Sequence, residues 1–129
     1  MREISLVAGG VLVILVGIGC AFGSIVLSRG KAVDWPDVIA APPILRRVAI
    51  GLALAAATLL ASGGAVLAQL PWSIHGATAS LALFVAGGYW GNHAVFGDFR
   101  PTHTGSNVAI AVVALLLLWA GYPALLPVE

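Results

Sequence analysis

Residues 48–97 read VAIGLALAAATLLASGGAVLAQLPWSIHGATASLALFVAGGYWGNHAVFG, 50 consecutive positions without one Asp, Glu, Lys or Arg. Soluble domains carry about a quarter charged residues, so a run of this length does not belong on a water-facing fold. A helix rising 1.5 Å per residue needs about 20 mainly apolar residues to cross the hydrocarbon core of a bilayer. The run therefore predicts two crossings joined by a turn. Gln69-Leu70-Pro71-Trp72-Ser73 supplies the turn, with Trp72 at the membrane interface and Ser73 as N-cap of the second crossing. A connection this short predicts an antiparallel hairpin.

Outward from this hairpin the pattern repeats. Ser5–Leu27 is uncharged, and so are the 28 residues from Pro101 through Val128. The chain of 129 residues is 60% apolar and 9% charged. These numbers predict an all-α integral membrane protein: one domain, residues 1–129, of four transmembrane helices in a compact antiparallel bundle. The expected spans are about 5–27, 43–70, 74–96 and 105–122. Pro42-Pro43 marks the start of the second, because proline suits a first helical turn. Pro123 ends the fourth, whose shortness points to local burial or to a helix reaching back to Pro101. The first run exceeds the apolar core of a secretory signal peptide, and no small-x-small cleavage site precedes a soluble domain. Gly17-Ile18-Gly19-Cys20 resembles the box before a lipid-modified cysteine only in part, since Gly17 stands where a Leu-like residue is usual.

Six basic and five acidic residues give a net charge of +1, which offers neither a nucleic-acid surface nor a polybasic tether. A single cysteine, Cys20, excludes an internal disulfide and a dithiol pair. Arg29, Lys31, Arg46 and Arg47 fall between spans one and two, and Arg100 falls between three and four. The positive-inside bias then places both connections in the cytoplasm and both termini outside, in a bacterial inner membrane, with Arg2 as the one dissenting charge. Asp34–Ala41 reads as a short interfacial helix, capped by Asp34 and anchored by Trp35.

With the second span counted from Val48, its alternative start, no carboxylate, lysine or arginine falls inside the expected spans, whereas ion-coupled transport usually needs an ionisable group there. No nucleophile, base and acid come together either, so the expectation is a non-enzyme. Thr58, Ser62 and Ser80 are the mid-span hydroxyls, each able to bond back to its own helix. Glycines are abundant, with Gly19-x-x-x-Gly23 and Gly87-x-x-x-Gly91 the tightest pairs. Small residues let helices approach closely in lipid, and a surplus of such faces predicts contact with other membrane subunits or self-copies.

Polarity gathers from Tyr89 to Asn107, on the expected cytoplasmic rim. The candidate site residues are Tyr89, Trp90, His93, Arg100 and Asn107. Arg100 and the polar start of span four would hold an anionic headgroup, or the head of a quinone or pigment, beside the free N–H groups of a helix N-terminus. Two alternatives use the same stretch. His93, Asp98 and His103 offer metal ligands without a compact signature. His93 alone offers one axial ligand to a haem or chlorophyll-type macrocycle, because His75 lies about 27 Å away along the same helix. Trp35, Trp72, Trp119 and Tyr122 read as an interfacial belt, and Trp90 lies deeper.

The functional expectation is a non-catalytic accessory subunit of a larger inner-membrane assembly, of the respiratory or photosynthetic kind, that holds lipid, quinone or pigment at its cytoplasmic edge. The rival classes are a small homo-oligomeric transporter or channel and a single-histidine haem or metal protein.

Overall fold

The computed structural model describes residues 2–29, 38–98 and 101–125. Four helices follow in order: α1 Arg2–Ser28, α2 Pro42–Leu67, α3 Ser73–Phe96 and α4 Pro101–Gly121, closed by a 3₁₀ turn Tyr122–Leu125. No strand occurs among the described residues. Glu3–Ser28, Pro42–Leu67 and Pro101–Gly121 are each long and apolar enough to cross a membrane. The helix α3 has comparable length, 24 residues, but hydroxyls and His75 in its first half and Asn92 and His93 in its last turns dilute its hydropathy.

The helix ends follow from their residues. Ala41 is extended (φ −72°, ψ 156°), and Pro42 and Pro43 then occupy first-turn positions where no backbone donor is required. Arg46 and Arg47 consequently lie in the first turns of α2, rather than in the connection before it. The expected interfacial helix is not seen in Val38–Ala41, which is non-helical. The backbone N–H of Ile39 donates instead to the carbonyl of Val95 at 2.9 Å, tying this strand-like approach to the end of α3. The start of that stretch, Asp34–Asp37, lies outside the described residues. The fourth helix begins at Pro101 and not near 105, so it reaches back to the proline that can occupy its first turn.

The α2–α3 turn closes differently from its sequence reading. Leu70 N–H donates to Ala65 O and Gln69 N–H to Val66 O, both at 3.0 Å, which is the paired closure of a helix ending in a left-handed residue. That residue is Gln69, at φ 58°. So tight a reversal leaves Trp72 in a helical conformation (φ −81°, ψ −9°) at the N-cap position. An N-cap side chain reaches its donors from an extended backbone. Ser73 therefore does not cap α3; it is the first helical residue, and its hydroxyl is buried without a partner among the described residues.

Adjacent helices run in opposite directions. Gly10 lies against Val66, Gly17 against Leu60 and Gly23 against Leu52, which pairs α1 with α2 along their length. Ser62 faces Ser80 across α2 and α3, Ser5 reaches Leu117 of α4, and Asn92 reaches Thr104 across α3 and α4. The α1–α2 contact is the most extensive and the α3–α4 contact the slightest. Leu6, Val13, Leu59, Ile74, Leu81 and Leu118 are fully buried in the main core, which lies toward the end where α2 turns into α3, and Leu45 is fully buried in a smaller cluster at the opposite end. In the main core Gly9 and Gly63 meet side chains so closely that a Cβ would lie 2.9 Å from Leu118 and 2.6 Å from Ile14. Without a hydrophobic drive between helices in lipid, such close approach supplies the dispersion that holds them.

Interhelical hydrogen bonds add to this. Ser5 Oγ donates to Leu117 O at 2.7 Å and Ser24 Oγ to Ala49 O at 2.6 Å. The hydroxyls of Ser62 and Ser80 are 3.1 Å apart in the buried core, and Ser80 also donates to Gly76 O at 2.8 Å. Thr58 bonds within its own helix as expected, to Ala55 O at 3.0 Å. Ser62 instead reaches across to α3, because both serines fall on the buried faces of their helices.

Candidate functional site

At the opposite end, where α1 and α3 finish and α2 and α4 begin, a smaller cluster of Leu45, Val48 and Val95 packs with Leu27 and Phe96, and space opens beside it. A cavity of about 580 Å³ opens between α2 and α3 and extends to the last turns of α1. A second, of about 430 Å³, lies between α1 and α4. Leu52, Phe84 and Asn107 line both, so these three side chains form a shared wall.

Glycine creates the space. Gly51 and Gly87 line the larger cavity and Gly19 the smaller, and a Cβ on any of them would meet nothing within 4 Å. Gly23 and Gly91 are looser than the closed-end glycines as well, with first neighbours at 3.4 and 3.5 Å. Of the two pairs read as tightest from their spacing, Gly19 and Gly87 face open space, while Gly23 and Gly91 make only ordinary contact with Leu52 and Val48 of α2. The spacing identified the small face correctly but not what stands opposite it.

Aliphatic and aromatic side chains make up most of the rest of the larger cavity. Phe22 and Trp90 line it while remaining 69% and 64% exposed, so they stand at its margin. Its polar groups are few: Arg47 at the start of α2, Thr58, Asn92 and Asn107. Arg47 was missed as a lining residue by counting it in a loop. The signal was present, since Pro42-Pro43 places it within the first two turns of a helix.

The sequence candidates separate into three groups. Trp90 and Asn107 line the larger cavity. Tyr89 and His93 lie together on another face of α3, with ring centroids 5.2 Å apart, both exposed and neither lining it. Arg100 lies outside the described residues. Asn92, one turn beyond Gly88, was not singled out; its Nδ2 lies 3.4 Å from Thr104 Oγ1, joining the ends of α3 and α4. Phe96 lines the cavity and meets the His103 ring edge-on at 6.3 Å.

The metal reading of His93, Asp98 and His103 is not supported by their placement. Among the described residues no three of His, Cys, Asp and Glu gather as a ligand group. His93 packs on Tyr89 and His103 on Phe96, which directs the two imidazoles to different neighbours. His75 stands at the far end of α3, edge-on to Trp119 at 5.6 Å and Tyr122 at 6.0 Å. Trp119 Nε1 in turn donates to Thr78 Oγ1 at 3.1 Å, which completes an aromatic cluster of the kind found at a membrane interface.

Asn107 has the most unusual position. It occupies the second turn of α4 and enters the α3–α4 gap at Gly88, where a Cβ would lie 2.8 Å from its Nδ2. Only glycine at 88 admits it there. Its carboxamide makes no side-chain hydrogen bond to any described residue, although it borders two largely apolar spaces. The arrangement offers shape, apolar surface and a few hydrogen-bonding groups, which is the equipment of a binding site. Compared with protein-family models, curated proteins and solved structures, the chain finds no match.

Proposed function

We propose that the chain is a four-span, non-catalytic subunit of a larger bacterial inner-membrane assembly, and that it holds a membrane amphiphile in the cavity beside α2 and α3. In this reading α3 crosses with the other three helices and both termini lie outside the cytoplasm. Lipid, quinone and pigment are the candidate amphiphiles. The observation that carries the reading is the cavity itself. Its volume of about 580 Å³ falls within the roughly 300–1,000 Å³ of small-molecule sites, and its mainly apolar lining with a few polar groups has the usual composition of one. Arg47 at the start of α2 suits an anionic or carbonyl-bearing head. Membership of an assembly is supported by Gly64 and Gly105, which line neither cavity and have open space beside them within this chain.

Purification in a gentle detergent followed by native mass spectrometry tests both halves. The expected result is a fixed ratio of foreign subunits and a retained amphiphile. Self-copies alone would defeat the subunit reading and favour a homo-oligomeric transporter or channel. Gly87→Leu directs a side chain into the cavity from a position where a Cβ meets nothing within 4 Å. It is expected to lower amphiphile retention about tenfold, through lost apolar contact, with the melting temperature unchanged. Unchanged retention would locate the amphiphile elsewhere.

A further inference from the structure

We infer that the bound amphiphile is a two-chain, ester-linked glycerolipid that straddles the wall of Leu52, Phe84 and Asn107, with one chain in each cavity and an ester carbonyl on the Asn107 carboxamide. The inference rests on the amphiphile-holding reading and specifies its ligand.

Three independent features meet at Asn107. The first is the division of space: cavities of about 580 and 430 Å³ lie on either side of one wall, the larger between α2 and α3 and the smaller between α1 and α4. A ligand with a single tail uses one such space. A ligand with two tails branching from one point uses both, and its branch point must lie at the wall.

The second is the amide. A carboxamide offers two N–H donors and a carbonyl acceptor. Left unpaired in hydrocarbon it costs several kcal/mol by transfer scales. Asn107 makes no side-chain bond to a described residue, and Gly88 gives it the room to stand in the gap. A carbonyl-bearing ligand would accept from its Nδ2. An ester is such an acceptor, and in a two-chain glycerolipid the esters sit where the chains diverge.

The third is depth. Asn107 lies six residues into α4 from Pro101, about 9 Å along the helix axis at 1.5 Å per residue. The polar layer on each side of the hydrocarbon core is about 5–8 Å thick. Asn107 is therefore within the first two turns of a membrane-length helix, where a chain passing from the polar layer into hydrocarbon reaches the level at which ester groups join the lipid chains. Arg47, five residues into α2 from Pro42, starts at much the same depth, and its long side chain lines the same cavity and can reach toward the headgroup layer.

The test is a native mass spectrometry titration of the delipidated full chain in detergent with three probes sharing one headgroup. These are a diester phosphatidylglycerol, its diether analogue without carbonyls, and its single-chain lyso form. The diester is expected to bind most tightly. The diether is expected to bind about three- to tenfold more weakly, the range of a side-chain hydrogen bond within a membrane protein. Asn107→Leu retains the branched shape and is expected to weaken the diester to the level of the diether, without affecting the diether itself. Gly19→Leu occupies the smaller cavity, where nothing lies within 4 Å, and is expected to weaken both two-chain probes while sparing the lyso form. Circular dichroism and thermal melting of each variant establish that it is folded. Equal binding of diester and diether, or two-chain binding unaffected by Gly19→Leu, overturns the inference while leaving the amphiphile reading in place. Tight binding of a quinone in preference to the diester does the same. Failure of every amphiphile to bind, with the protein folded, defeats the underlying reading as well.

Discussion

The two ends of this helix array differ in what most of their glycines meet, with Gly64 and Gly88 among the exceptions. At the end where α2 turns into α3, Gly9, Gly10 and Gly63 bring helices together until a Cβ would lie 2.6–3.0 Å from Leu118, Val66 or Ile14. At the other end Gly19, Gly51 and Gly87 face open space and line cavities. Glycine in lipid is therefore not by itself a sign of helix contact. It permits close approach, and whether approach occurs is decided by the side chains opposite. Leu118, Val66 and Ile14 extend toward the closed-end glycines, whereas no side chain extends to within 4 Å of a Cβ at Gly19, Gly51 or Gly87.

The largest expected effect comes from substituting a glycine on each side of this comparison. In Gly63→Leu the new side chain meets Ile14 and the Gly10 carbonyl oxygen, which is backbone and cannot rotate away. Overpacking of this kind costs about 3 kcal/mol, the upper part of its usual range. Gly51→Leu meets nothing within 4 Å and should leave stability unchanged or raise it slightly through better helix propensity. Thermal unfolding of both variants in detergent checks the pair. Equal destabilisation would show that the open end is closed in solution.

Gly97→Ala probes how the open end is tethered. Gly97 ends α3 at φ 80°, and a Cβ there would lie 2.8 Å from Ile39 Cδ1. Left-handed backbone costs a residue with a Cβ about 1–2 kcal/mol. Ile39 can move its terminal methyl, so the steric share is small and the backbone share should dominate. The expected loss is about 1–2 kcal/mol, read from the same melts. Ile39→Ala in the same background should recover little of it; full recovery would mean that the clash, not the backbone, sets the cost.

Much of this architecture is legible in the residues themselves. Uncharged runs locate the helices, and Pro42-Pro43 places the start of α2. What the residues do not reveal is which face meets which. Gly19-x-x-x-Gly23 and Gly87-x-x-x-Gly91 have the spacing of a close contact, yet only Gly23 and Gly91 meet a neighbouring helix, at ordinary distance, and all four border cavities, because spacing describes one helix and a contact needs two. The Ser73 cap fails for a related reason: its residue type is right, but the Gln69 reversal fixes the backbone of Trp72 before a cap can form. At the candidate site Trp90 and Asn107 were readable as polar or aromatic residues on the rim. Arg47, Leu52 and Phe84 were not, since apolar residues become a wall only once the two cavities on either side exist.

Ser62→Ala tests a smaller contribution to the closed end. It removes the 3.1 Å hydroxyl contact to Ser80, but Ser80 keeps its bond to Gly76 O, so no buried group is left unpaired. The expected loss is about 0.6 kcal/mol, the average of measured hydrogen bonds between membrane helices. Ser80→Ala should cost more by thermal melting, because it also removes the bond to Gly76 O and takes from the buried Ser62 hydroxyl its partner, and the double variant should cost no more than Ser80→Ala alone if the pair is what is measured. Additive losses would mean that each hydroxyl acts through its own helix.

The smallest expected effect has the opposite sign and contrasts the two left-handed helix ends. Gly97 carries this conformation at the open end and Gln69 at the closed end, with φ 80° and 58°. Gln69→Gly relieves a conformational cost of about 1–2 kcal/mol. It also returns roughly 0.4–1 kcal/mol of chain entropy to the unfolded state, which opposes the gain. The difference leaves a net stabilisation of about 0.5 kcal/mol, from these same two terms. The exposed Gln69 side chain makes no interhelical hydrogen bond among the described residues, so no packing term enters. A small rise in melting temperature is expected, accompanied by retention of the α2–α3 turn in amide exchange. A fall would mean that Gln69 contributes a contact at the membrane surface that outweighs its backbone strain, and the closed end would then owe part of its stability to the lipid boundary as well as to its glycines.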